Sequence, residues 1–143
     1  MDRKTVERKR KRANFQMIEW ELRYYQKLRA QLADGREEIV HATVTPDVPV
    51  QTGTGDIVLS KVLRLTSTAK LQEAERRIEA IEYALAMTRR QDPARVELVK
   101  KKYFENKLTD EGIMEALHIS RDTFYRWRRD FVSLVAERLG LEV

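Results

Sequence analysis

Between Ala13 and Ala33 the apolar residues Phe15, Ile18, Leu22, Tyr25, Leu28 and Leu32 recur at steps of three and four, one stripe of an amphipathic helix. Asp34-Gly35 is the stop signal after it. A second helix is predicted from about Lys61 to Arg90, where Leu71, Ala74, Ile78, Ile81, Leu85 and Thr88 form a short heptad-like seam flanked by charges. Such a seam needs a partner. The first helix folded back as a long hairpin is one solution and a second copy of the chain, giving a homodimer, is the other; three heptads do not choose between them. Between them, residues 35–60 hold Pro46, Pro49, Gly53 and Gly55 and read as an irregular linker, with a β-branched cluster at 39–44 that suits a short extended piece.

The last third is written in shorter units. Asp92-Pro93 reads as an N-cap followed by proline at the first helical position, where its missing N–H costs nothing. Val96, Val99, Tyr103 and Phe104 form the inner side of that helix, Lys100, Lys101 and Lys102 spill onto the other, and the end falls near Asn106. Thr109 caps the next helix, with Asp110 and Glu111 in its positive first turn and Ile113, Ala116 and Leu117 facing inward. His118-Ile119-Ser120 is a turn, with His118 in the left-handed position where glycine is usual. Ser120 caps a final helix over Arg121–Leu139, whose Phe124, Trp127, Phe131, Leu134 and Val135 are predicted as core, not as a platform for stacked bases. Arg121, Tyr125 and Arg128 then line one outer strip, and Asp122, Arg126 and Arg129 its neighbour. The expected fold is all-α: a long helical hairpin over 13–90, then a helix-turn-helix bundle over 91–143.

Charge adds a preference for polyanions. The chain has 143 residues and a formal net charge of +5, and residues 1–12 alone hold seven lysines or arginines against two acids. That segment reads as a flexible, solvated arm or as a phosphate-binding one. With no cysteine, disulfides, thiolate metal sites and cysteine nucleophiles are excluded together, and a reducing, cytoplasmic setting is expected. No apolar run is long enough to span a membrane. Two histidines, His41 and His118, and no ligand-spaced acid cluster give little basis for an enzyme, and no metal or other cofactor is expected. The glycines at 53 and 55 lack the Lys-Ser/Thr pair of a phosphate loop.

The order of these parts, with RRIEAIEYAL and then VELVKKKYFENKLTDEGIMEALHISRDTFYRWRRDFVSLVAERLGL, resembles the RinA/ArpU-like late transcriptional regulators of bacteriophages and prophages of Gram-positive bacteria. The likeness covers nearly the whole chain but is specific mainly from Arg76 onward, in KKYF, the LHIS turn and the AERLGL ending. The C-terminal part also resembles the helix-turn-helix of sigma factor region four, with His118 for the usual glycine and Met114 for the usual alanine. The resemblance implies a DNA-binding activator of phage structural and packaging genes in the bacterial host cytoplasm, with host RNA polymerase as a further partner to test. On double-stranded DNA, Arg121, Tyr125 and Arg126 are expected nearest base edges and Ser120, Thr123 and Arg129 nearer phosphate, with Lys100, Lys101 and Lys102 adding backbone contacts. The rival reading is an oligomeric DNA-packaging protein like a small terminase subunit.

Overall fold

A computed structural model describes the backbone of residues 2–44 and 54–143 and the side chains of residues 2–35 and 68–143. The fold is all-α. Helix α1 spans Arg3–Val44, α2 Thr54–Gln91, α3 Pro93–Val99, α4 Asp110–Leu117 and α5 Arg121–Leu139, and α3 runs on into a π-helical stretch at Lys100–Glu105. Helix α2 packs against α1 within the chain, and against α5 as well. The main core therefore draws on both parts of the sequence: Ile18, Leu22, Tyr25 and Leu32 from α1, Ile78, Ala80, Ile81 and Ala84 from α2, Val99 and Tyr103, and Phe131, Val132, Val135 and Ala136 from α5. Two seams of α2 are buried because two helices cover it. Polar clamps sit over the apolar contacts: the Tyr25 hydroxyl donates to Glu82 at 2.9 Å, and Arg138 of α5 grips Glu79 of α2 at 2.7 and 3.1 Å beside the Tyr83 ring.

Four sequence expectations about the first half change. Helix α1 does not stop at Asp34-Gly35, and the stretch at 39–44, expected to be extended, is helical. A glycine inside a helix costs about 1 kcal/mol relative to alanine, but here a Cβ on Gly35 would lie 2.7 Å from Leu71 Cδ2, so the missing side chain is what lets α1 and α2 come this close. The expected linker at 35–60 shrinks, since α2 already begins at Thr54; Pro46, Pro49 and Gly53 lie outside the described residues. Residues 1–12, expected as a flexible arm, continue α1 as helix from Arg3. Lys11 pairs with Glu7 one turn away at 3.2 Å, Arg10 reaches Glu142 at 3.0 Å, and the Asn14 amide donates to the Glu142 carbonyl at 2.8 Å. These bonds tie the basic segment to the C-terminal end of the chain.

The local signals of the second half are realised. Asp92 accepts from the Ala94 N–H at 3.0 Å with Pro93 behind it, Thr109 accepts from Gly112 at 3.1 Å, and Ser120 accepts from Thr123 at 3.2 Å. Asn106 and His118 both adopt left-handed backbone, with φ of 51° and 54°, and Gly140 closes α5 in the same way. A small second core joins Leu98, Ile113 and Phe124, with Met114, Leu117 and Trp127 half-buried around it. Ala116, expected inward, is exposed. Trp127, expected at a core centre, packs at the edge of this cluster with the Arg95 guanidinium 5.4 Å from its ring centre.

Candidate nucleic-acid interface

Helix α5 stands on two supports. Phe124 fixes its first turns against α3 and α4, while Phe131, Val132 and Val135 fix its second half against α1 and α2. The N-terminal end is set by the turn: the left-handed His118 backbone donates its N–H to the Glu115 carbonyl at 3.3 Å, and Ile119 donates to Met114 at 3.0 Å. Ser120 then caps the helix twice over, accepting from the Thr123 N–H and donating its hydroxyl to Thr123 Oγ1 at 2.9 Å. What remains uncovered is a strip of Asp122, Arg126, Arg129 and Asp130, with half-buried Tyr125 along its edge; these five residues line one shallow hollow.

Of the residues expected to meet DNA, Arg126 and Arg129 fit that role best. Both are exposed and neither makes an ion pair among the described residues. Arg121 is exposed too, with its guanidinium 3.5 Å from Glu111, a contact that a phosphate could replace at little cost. Ser120 is exposed but its hydroxyl is engaged in the cap, and Thr123 is half-buried beside it. Tyr125 lies edge-on to Phe124 at 5.3 Å, so its ring is held in place. The three lysines separate. Lys100 is half-exposed with Glu97 at 3.7 Å, and Lys101 is half-buried without an ion pair among the described residues. Lys102, expected as a backbone contact, is only 12% exposed, bonds Asp110 at 2.8 Å and sits over the Tyr103 and Phe124 rings. It bridges the π-helical stretch to α4 and is not available to a phosphate.

Arg128 is also not where the outer strip puts it. It lies four residues after Phe124 and three before Phe131, on the buried stripe, and turns inward to grip Glu19 of α1 with Nε–Oε2 at 3.0 Å and Nη2–Oε1 at 2.8 Å. The Tyr103 hydroxyl donates to the same carboxylate at 2.6 Å, and the Phe15 ring stacks under the guanidinium at 5.1 Å. Burial works against a charged Glu19, but the bonds from Arg128 and Tyr103 outweigh it and hold the carboxyl below the usual glutamate value. Burial, and then the hydrogen bond to this carboxylate, push the Tyr103 hydroxyl well up, so it stays a donor. The Glu19 contact raises Arg128 against the opposing effect of burial, which keeps it charged at every ordinary pH.

A cationic groove between α1 and α5 went unnoticed in the sequence. Lys11, Arg12, Gln16, Arg129 and Ser133 line it, with Arg128 and Glu19 in its floor and Val143 at one end. It joins the basic first turns of α1 to the outer strip of α5, so the two make one positive surface. Its only sequence signal is that Lys11, Arg12, Phe15 and Glu19 share a side of α1 at helical spacing.

Among the described residues no group of histidine, cysteine or acidic side chains could hold a metal ion, and no helix is long and apolar enough to cross a membrane. No known protein family, curated protein or solved structure matches this chain.

Proposed function

We propose that this chain is a sequence-specific regulator of transcription that binds double-stranded DNA through α5, and that it activates phage late genes in the cytoplasm of a bacterial host. The observation that carries the DNA reading is the pair Arg126 and Arg129, exposed and without a carboxylate partner among the described residues, within three turns of the capped start of a helix whose opposite face is anchored. An arginine so placed reaches the O6 and N7 edge of a guanine in the major groove. Lys11, Arg12 and Arg129 along the adjoining groove suit the phosphate backbone, where contacts position the protein without reading sequence. The late-gene role rests on the family resemblance alone, which covers nearly the whole chain and is specific mainly from Arg76 onward, and with it the further proposal that an activator of this kind contacts host RNA polymerase.

Footprinting on the DNA that flanks the gene, combined with light scattering for mass, tests the reading. Protection of one short site by a monomer or homodimer supports it. A large ring that coats DNA without preference replaces it with a packaging component.

A further inference from the structure

Helix α1 has a second apolar face that none of the described residues covers. Trp20 is 56% exposed, and Val6, Met17 and Tyr24 are exposed with it. Val6, Ala13 and Trp20 stand seven residues apart, as do Met17 and Tyr24, so the two columns alternate by steps of three and four along one side of the helix. At about 100° per residue this side lies roughly opposite Ile18 and Leu22, which are fully buried. The Trp20 and Tyr24 rings lie against each other at 4.4 Å, with Lys27 over Tyr24 at 5.6 Å, so the patch is one preformed ridge. Its rim is cationic. Lys9, Arg23 and Lys27 are exposed without ion pairs among the described residues, and between residues 8 and 27 the only acids are Glu19 and Glu21, both buried.

We propose that this face of α1 docks an acidic amphipathic helix of a partner protein. Apolar columns at heptad spacing present holes that fit the knobs of another helix, and the cationic rim selects one flanked by glutamate or aspartate. A second copy of the chain fits poorly. Parallel copies would set two arms, each with seven lysines or arginines against one glutamate over residues 3–12, side by side, and antiparallel copies would set each arm against Arg23 and Lys27. Nucleic acid is the weaker fit, because the Trp20 and Tyr24 rings lie against each other at 4.4 Å with their planes 36° apart and open no slot between them for a base. The site adjoins the Lys11, Arg12 and Gln16 groove around α1, Gln16 lying one turn before Trp20, but Trp20 and Tyr24 do not line that groove and the proposal does not depend on the DNA reading.

Fluorescence anisotropy of the full chain with a labelled helical peptide, leucines at heptad spacing and glutamates beside them, tests this. Saturable binding is expected, about tenfold weaker for Trp20→Ala with Tyr24→Ala, weakened by salt, and with melting temperature and DNA affinity unchanged. The proposal fails if the same peptide with lysines for glutamates binds as well, or if the double variant binds like the parent. It also fails if Trp20→Ala abolishes self-association of the parent chain, or if anionic lipid vesicles, but not the acidic peptide, require Trp20.

Discussion

Arg126 and Arg128 leave the same helix two residues apart and meet opposite surroundings. On the inner face, Arg128 is 26% exposed, has both Glu19 oxygens within 3.0 Å and lies between the Phe15 and Tyr125 rings. On the outer face, Arg126 and Arg129 stand in solvent with no ion pair among the described residues. The first has given up water and been compensated by protein; the others keep their charge available. A guanidinium belongs to the fold or to a ligand according to what has replaced its hydration, and residue type does not decide which. The inner pair also fixes how α5 sits on α1, so the outer arginines are aimed by a contact on the far side of their own helix.

The largest effect should come from breaking the inner face. Arg128→Ala leaves Glu19 and the Tyr103 hydroxyl buried around a lost partner, and a loss of about 3 kcal/mol in folding stability is expected. Urea unfolding followed by circular dichroism measures it. A loss as small as that of a surface substitution, within about 0.5 kcal/mol, would mean that the two faces are not energetically distinct.

How legible this was in the sequence depends on the range of the cause. Asp92, Thr109, Ser120 and His118 act within one turn of the chain, and each holds the backbone that its type and spacing predict. Gly35 was misleading because its partner, Leu71, is far away in sequence; a helix stop and a close helix contact look alike until the second helix is in place. The π-helical stretch at Lys100–Glu105 left no mark that spacing could detect. Arg128 was legible after all. Its steps of four from Phe124 and three to Phe131 place it on the apolar stripe, as Glu19 falls four after Phe15 and three before Leu22, and in both places the period and not the charge marks the buried side. Lys102 was not, since a run of three lysines does not reveal which one turns toward Asp110.

The outer face is sharpened by specificity. Arg126→Ala should weaken binding to the cognate site by about 1–3 kcal/mol and relax preference at one base position, with the melting temperature kept. Lys101→Ala should weaken cognate and random DNA alike and lower the slope of log affinity against log salt by about 0.9, as one lost phosphate contact would. Competition assays on both DNAs over a salt series separate the two. The same uniform loss from both variants would remove the recognition role from α5.

Acid tests the inner face without mutating the arginine. The Glu19 carboxyl sits below the ordinary glutamate value of 4.5, so its folded state holds a proton less readily than its unfolded state. Its contribution to stability is present above 4.5 and is lost as pH falls through the lowered folded value. The stability difference between the parent and Glu19→Gln should therefore narrow as the solution is taken from neutral pH into that range. A difference that stays constant would show that the carboxylate charge is not what holds Arg128.

The smallest expected change is a gain, and it comes from a second buried acid on the same helix. Among the described residues Glu21 has one ion-pair partner, Arg77, whose Nε lies at 3.1 Å, and its Oε2 is buried without a hydrogen-bond partner. Burial raises its carboxyl above the ordinary value, which the Arg77 charge offsets only in part. With the folded value raised, its favourable contribution exists below the unfolded value and disappears as pH rises through the folded one, so at neutral pH the ionised group is a net cost. Glu21→Gln keeps the shape and removes the charge; it also gives up the Arg77 pair, which is 37% exposed on the arginine side and worth at most about 1 kcal/mol. A gain below about 1 kcal/mol is expected near neutral pH and none in acid, read from thermal melts at both. If Glu21→Gln instead destabilises as much as Glu19→Gln, a single arginine contact holds a buried carboxylate as well as the saturated set around Glu19 does, and the inner face of α5 loses its claim to be special.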